Sequence, residues 1–260
     1  MNREVWKVFA GLCAIGMSAV CAGPAAAQMS EVKEKPPLYT YVASWTIPRA
    51  GWADMEKANA SDQKLLDKGI ADGTIVGYGN DVVAVHQSDG PTHDDWWSAM
   101  SMAGVLNQLD QFEKSGNAVS PVLSSASDHA DNIYVSRYYN WHPGSWKDGY
   151  TYTAFYTLKP DAPDDAVDTL SKHLIVPVLE KLLADGTLHE YEVDTQAVHT
   201  APPGTFVIVY LAAGADGLDK VNAALRETIR SKPLDGAAFD SMVNMAGHHD
   251  ELVRSSATYK

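Results

Sequence analysis

Large and small or polar side chains alternate along Tyr39-Thr40-Tyr41-Val42-Ala43-Ser44-Trp45-Thr46-Ile47, the period-two pattern of a half-buried strand. Trp52, Met55, Ala58, Leu65, Leu66 and Ile70 then recur at helical spacing, and Gly73 ends that helix. Thr74 to His86 predicts a long second strand, bent or bulged near Gly77 and Gly79. After the turn Ser88-Asp89-Gly90-Pro91, Thr92 to Met100 predicts a third strand. Val105, Leu109 and Phe112 then form the inner stripe of a second helix, and Ile133 to Tyr139 a fourth strand. The same succession follows. Tyr150 to Thr157 is a strand, and Val167, Leu170, Leu174, Val178 and Leu182 mark a helix with a kink expected at Pro177. Thr187 to His199 and Phe206 to Ala212 are strands. Leu218, Val221, Leu225 and Ile229 mark the second helix of this half, and Leu252 to Tyr259 the last strand.

The two halves also match residue by residue. Ala71-Asp72-Gly73-Thr74 runs on through Tyr78 and Asp81 to Ala84-Val85-His86. Ala184-Asp185-Gly186-Thr187 runs on through Tyr191 and Asp194 to Ala197-Val198-His199, at a constant offset. Such an offset over many identities indicates an internal duplication. Each half has the order β-α-β-β-α-β, the ferredoxin-like unit, which covers one sheet face with its helices and leaves the other to be buried by a second copy. In element order and duplication the chain resembles the dimeric α/β-barrel superfamily, here as a fused, single-chain pseudo-dimer of α+β class. The resemblance spans nearly all of the chain beyond residue 37 and matches no particular member family. It implies the company of small monooxygenases, haem-degrading and haem-binding enzymes, lactone isomerases and plain binding proteins, so it leaves the cofactor unknown.

Residues 1–27 carry the pattern of a secretory leader: Arg3 and Lys7, an apolar stretch from Val8 to Val20, and Ala25-Ala26-Ala27 before Gln28. The expected organisation is thus a signal peptide at 1–27, a tether at 28–37, a first domain at 38–140, an aromatic linker at 141–149 and a second domain at 150–260. The expected location is periplasmic or secreted. Cys13 and Cys21, the two cysteines of the chain, both lie in the leader, so the mature chain would hold no disulfide, thiolate metal ligand or cysteine nucleophile. Losing Arg3, Lys7 and Glu4 takes the formal charge from −13 to −14. So acidic a chain repels nucleic acid and anionic membrane surfaces, and beyond the leader no apolar run is long enough for a membrane span. Oligomers are compatible with the pattern. There is no phosphate-binding glycine loop, no Gly-x-Ser-x-Gly elbow and no His-Glu-x-x-His helix, which argues against nucleotide use, serine hydrolase chemistry and zinc proteolysis.

Features present in one half only are the better functional candidates. The third strand of the second half, Phe206-Val207-Ile208-Val209-Tyr210, is apolar, whereas the matched positions hold His93-Asp94-Asp95-Trp96-Trp97. Alternation puts His93, Asp95 and Trp97 on one side and Asp94 and Trp96 on the other. The first set could act as a base with its orienter, or as two ligands, beside an aromatic wall. Charges on an edge strand that deter aggregation are the structural alternative. His86 and His199 close equivalent strands and could meet across the pseudo-twofold to hold an ion or a haem iron, or simply tie strand ends. His248-His249-Asp250 and Asp128-His129-Ala130-Asp131 precede the last strand of each half as a shared strand entry, but adjacent histidines on a strand point apart. Trp141 and its aromatic neighbours in Tyr138 to Trp146 would cap a cleft or close the interface between halves.

The expectation is a binder of a small hydrophobic or aromatic molecule, with His93, Asp95 and His86 as catalytic-type groups and Trp96, Trp97, Trp141 and His199 as ligand contacts. No metal is assigned. The alternatives are a monooxygenase-like or haem-handling enzyme of the same superfamily, and a protein-assembly module that offers an exposed third strand.

Overall fold

The computed structural model describes residues 32–88 and 90–260. The expected leader and the first four residues of the expected tether lie outside the described residues. The first half runs β1 (Leu38–Thr46), α1 (Trp52–Asp72), β2 (Gly77–Val83), β3 (His93–Ala99), α2 (Met102–Ser115), α3 (Pro121–Ser124) and β4 (Asp128–Trp141). The second runs β5 (Gly144–Leu158), α4 (Ala166–Leu170), α5 (Val176–Ala184), β6 (Leu188–Gln196), β7 (Thr205–Ala212), α6 (Ala215–Ser231), α7 (Pro233–Met242) and β8 (Val243–Tyr259). No helix of the described residues is long and apolar enough to cross a membrane.

Local chemistry sets the helix ends. Gly73 and Gly186 sit at φ 78° and 79°, a left-handed conformation that glycine adopts without a Cβ penalty. The preceding aspartates complete both turns: Asp72 accepts from the Thr74 N–H and Asp185 from the Thr187 N–H. The kink expected at Pro177 takes the form of a π turn, Ser171–Ile175, between α4 and α5. A proline ring has no N–H to donate and crowds the carbonyl four residues back, and the wider turn accommodates both constraints.

The eight strands close into one antiparallel barrel in the order β1-β3-β2-β8-β5-β7-β6-β4. Within each half the order is the same, β4-β1-β3-β2 and β8-β5-β7-β6, and β2–β8 and β4–β6 join the halves. Two expectations change here. The stretch 141–149 is not a separate linker: β4 runs through Trp141, which pairs with Glu190 of β6 in the other half, and β5 starts at Gly144, which pairs with Tyr259 of β8. The third strand is not an edge. β3 pairs with β1 on one side and β2 on the other, so it has no free backbone row to offer an assembly partner.

Alternation then separates two environments. Outward residues pack under the helices: Tyr41, Tyr78 and Trp97 cluster with Leu66 of α1 and Val105 of α2 in the first half, and Tyr191, Phe206 and Tyr210 with Leu179 of α5 and Val221 of α6 in the second. Each such side chain contributes roughly 1.5–3 kcal/mol on burial. Inward residues face the barrel interior, where Gly77 and Gly79 lie beneath the Tyr259 and Trp96 rings. A Cβ on Gly79 would stand 2.5 Å from the Trp96 indole. Gly79→Ala is therefore expected to cost about 1–3 kcal/mol by overpacking, and to shift the tryptophan emission as Trp96 is displaced. Thermal melts and fluorescence spectra of the variant would check both.

Candidate functional site

The barrel interior contains a cavity of about 300 Å³. Val42, Ser44, Pro91, Asn132, Phe155 and Val209 are among the residues lining its half-exposed mouth. At its other end a plug of Leu211, Ala257 and Tyr259 packs with Trp96, Trp141 and Trp146. One wall is apolar, with Val207, Val209 and Leu211 from β7. The remainder is acidic. Glu190, Glu192 and Asp194 come from β6, Asp81 from β2, Asp94 from β3 and Glu251 from β8. Among the described residues, no lysine, arginine or histidine lines this cavity, and His249 stacks on Phe155 at a ring distance of 4.5 Å.

These carboxyls are short of partners. Thr40 Oγ1 donates to Glu192 Oε2 at 3.1 Å, and Trp96 Nε1 to Asp81 Oδ2 at 3.2 Å. Asp94 and Glu251 lie within hydrogen-bonding reach of each other, as do Glu192 and Asp194, so one proton can be shared within each pair. Four oxygens are buried without a partner: Asp81 Oδ1, Asp94 Oδ2, Glu190 Oε1 and Asp194 Oδ1. Asp94 and Asp194 each have a carboxyl neighbour that can donate when protonated. Asp81 and Glu190 belong to neither pair.

Burial disfavours a charged carboxylate, and nearby like charges add to the effect. Burial, with like-charged neighbours, holds Asp81, Glu190 and Asp194 well above the usual carboxylate range. Burial raises Asp94 too, takes Glu192 to about 7, and together with Asp94 takes Glu251 to about 9.

The residues singled out from the sequence are dispersed. Only Trp96 faces this cavity. His93 points outward and is buried, with Nδ1 2.9 Å from Thr92 Oγ1, and burial lowers it to about 4. His86 and His93 each meet the Trp52 ring edge-on at 5.3 Å, so these three do come together, on the outer face. Asp95 shares that face but does not pair with His93. Its Oδ1 accepts from Asn80 Nδ2 at 2.7 Å, and burial raises it to about 7. Trp97 is core: it stacks between Tyr41 and Phe112 and donates to the Val105 carbonyl. Trp141 stacks on Tyr259 in the plug. His199 lines an outer groove with Arg137 and Val193, apart from His86. His129 and His248 each lie beside the aspartate two residues on, at 3.2 and 3.3 Å, and stack on Trp45 and Tyr156. Present in both halves, that arrangement belongs to the framework. Among the described residues, no group of three or more His, Cys, Asp or Glu is arranged to hold a metal ion.

Glu190, Glu192 and Asp194 escaped the sequence reading, although their spacing of two along a strand places all three on one face. The matched positions of β2 are Gly77, Gly79 and Asp81. Two glutamates standing where the other half has glycines was the available signal.

No protein-family model and no curated protein matches the sequence. Solved structures do match. A candidate monooxygenase from Lactobacillus acidophilus NCFM has 12% identity and a TM-score of 0.62, over 86% of this chain and 97% of that one. Another, from Fusobacterium nucleatum, has 10% identity and a TM-score of 0.65, over 87% and 95%. Chlorite dismutase from Candidatus Nitrospira defluvii, in complex with imidazole, has 10% identity and a TM-score of 0.50, over 83% and 90%. The chain has the dimeric α/β-barrel fold. At these identities the likeness is one of fold, and in this α/β barrel it is the interior residues that must carry any argument about chemistry.

Proposed function

We propose that this chain is an exported, tandemly duplicated ferredoxin-like protein whose barrel interior binds a small molecule with an apolar or aromatic body and hydrogen-bond donors. One observation carries the reading: Asp81 and Glu190 line a cavity with an accessible mouth, and each has a buried oxygen, Asp81 Oδ1 and Glu190 Oε1, without a hydrogen-bond partner. A buried acceptor without a donor costs about 1–3 kcal/mol, which a ligand donor would relieve. Phe155, Val207 and Val209 supply the apolar surface for the rest of the molecule. The constant offset between halves supports duplication. So do the twin bonds from Tyr78 to Asp67 and from Tyr191 to Glu180, whose partners share that offset. Export rests on the residue pattern of 1–27.

Filling the cavity tests the binding reading. Val209→Phe is expected to leave the fold intact and abolish the thermal stabilisation produced by compounds that bind the wild-type protein. Compounds that stabilise both proteins equally, or a diverse fragment set that stabilises neither, would count against an interior site.

The second reading is a monooxygenase-like or haem-handling enzyme. Glu192, held at about 7 mainly by burial, is suited to general-base work near neutral pH. That form predicts turnover lost in Glu192→Gln. Among the described residues no histidine lines the cavity, so a haem would have to use an outer groove such as those lined by His199 or His93.

A further inference from the structure

Resting on the interior-binding reading, we infer that the ligand is an organic cation, an ammonium-type head on an apolar body, bound head-inward against Asp81 and Glu190. Three features of the cavity point the same way. Among the described residues, its lining holds six carboxyl side chains and no Lys, Arg or His, so the described wall is rich in acceptors and lacks a positive group of its own. Two of those groups, Asp81 at 6% exposure and Glu190 at 3%, keep an oxygen with no partner in the protein. An ammonium or guanidinium group brings several donors and a compensating charge to one point, which a hydroxyl cannot. Trp96 and Tyr259 line the same cavity, and aromatic faces attract a desolvated cation.

The polarity of the cavity sets the orientation. Glu190, paired with Leu211, and Asp81, which accepts from Trp96, lie against the plug, whereas Phe155 and Val207 stand two inward rows farther toward the mouth. A cation that entered tail-first would leave its charge at the mouth and the unpartnered oxygens unmet. The asymmetry between halves agrees. Glu190, Glu192 and Trp96 stand where the other half has Gly77, Gly79 and Val209, so the acidic and aromatic groups are not dictated by the barrel architecture. A polyol is the competing neutral ligand. It would satisfy acceptors but leave the excess of carboxyls without a counter-charge.

The test compares 4-phenylbutylamine with 4-phenylbutanol by calorimetry at pH 8. The two probes share a body and differ in the charge of the head. The amine is expected to bind about ten-fold or more tightly, and Glu190→Gln or Asp81→Asn should erase most of that preference. Equal affinities, an alcohol that binds better, or no amine binding into the low millimolar range overturns the inference. Binding of either probe that survives Val209→Phe unchanged overturns the interior reading itself. Should a carboxyl variant fail to fold, the wild-type ratio of amine to alcohol still decides.

Discussion

Glu192→Gln is expected to stabilise the protein at pH 8 by about 3 kcal/mol, a rise in melting temperature of roughly 5–10 °C. The wild-type carboxyl titrates at about 7, raised from 4.5 mainly by burial. A group whose folded pKa lies above its unfolded value holds its proton in the folded state after the unfolded chain has released it. Stability then falls as pH rises through the folded pKa. Glu251, at about 9, and the raised Asp81, Asp94, Glu190 and Asp194 act with the same sign. Below pH 6.5 the depressed His93 opposes them, so the clean window is pH 6.5 to 9, where wild-type stability should decline steadily. Glutamine cannot ionise. Its amide can still accept from Thr40 and offers Asp194 a permanent donor. Melts of both proteins across this window would decide the point. A wild-type curve that is flat or rising, or a variant less stable at pH 8, would show that these carboxyls do not carry a burial penalty.

Tyr259→Ala should produce the largest loss, about 3–5 kcal/mol, or a fall in melting temperature of roughly 10–15 °C. The ring is 4% exposed and packs with Trp96, Trp141 and Trp146 at centroid distances of 5.5, 5.3 and 6.4 Å. Its place against β2 exists because Gly77 has no side chain there. Removing it would leave a void that three indoles cannot fill without leaving their own contacts. It would also admit water to the acidic cavity from the plugged end, so the decline in stability between pH 6.5 and 9 should shrink in the variant. A loss under about 1 kcal/mol would mean that this end is closed without Tyr259.

A closed barrel changes what a buried strand can carry. In an open sheet, a strand with carboxylates at every second position would turn them to water. Here β6 has Glu190, Glu192 and Asp194 on the inner face and the apolar Tyr191 and Val193 on the outer, so the helices cover the apolar side and the acids line the cavity. Seclusion raises the pKa values, and those raised values link the interior to stability.

The order of the eight strands and of the main helices between them, and the turn chemistry of Asp72-Gly73 and Asp185-Gly186, were determined by sequence alone, because they depend on local periodicity and on which residue tolerates a positive φ. The alternation along His93 to Trp97 was equally legible, since side chains on a strand must point to opposite faces. Which face matters was decided by closure of the barrel. Asp94 and Trp96 went inside, and His93, Asp95 and Trp97 under the helices. The pairing of β4 onto β6 of the opposite half and of β5 onto β8 of its own, which absorbed most of the expected linker, was likewise a tertiary outcome. So was the gathering of six carboxyls from four strands, whose separations in sequence are long and whose proximity depends on register across the whole ring. Local sequence specifies each strand and its two faces, but an enclosed volume exists only once the last pair of strands has met.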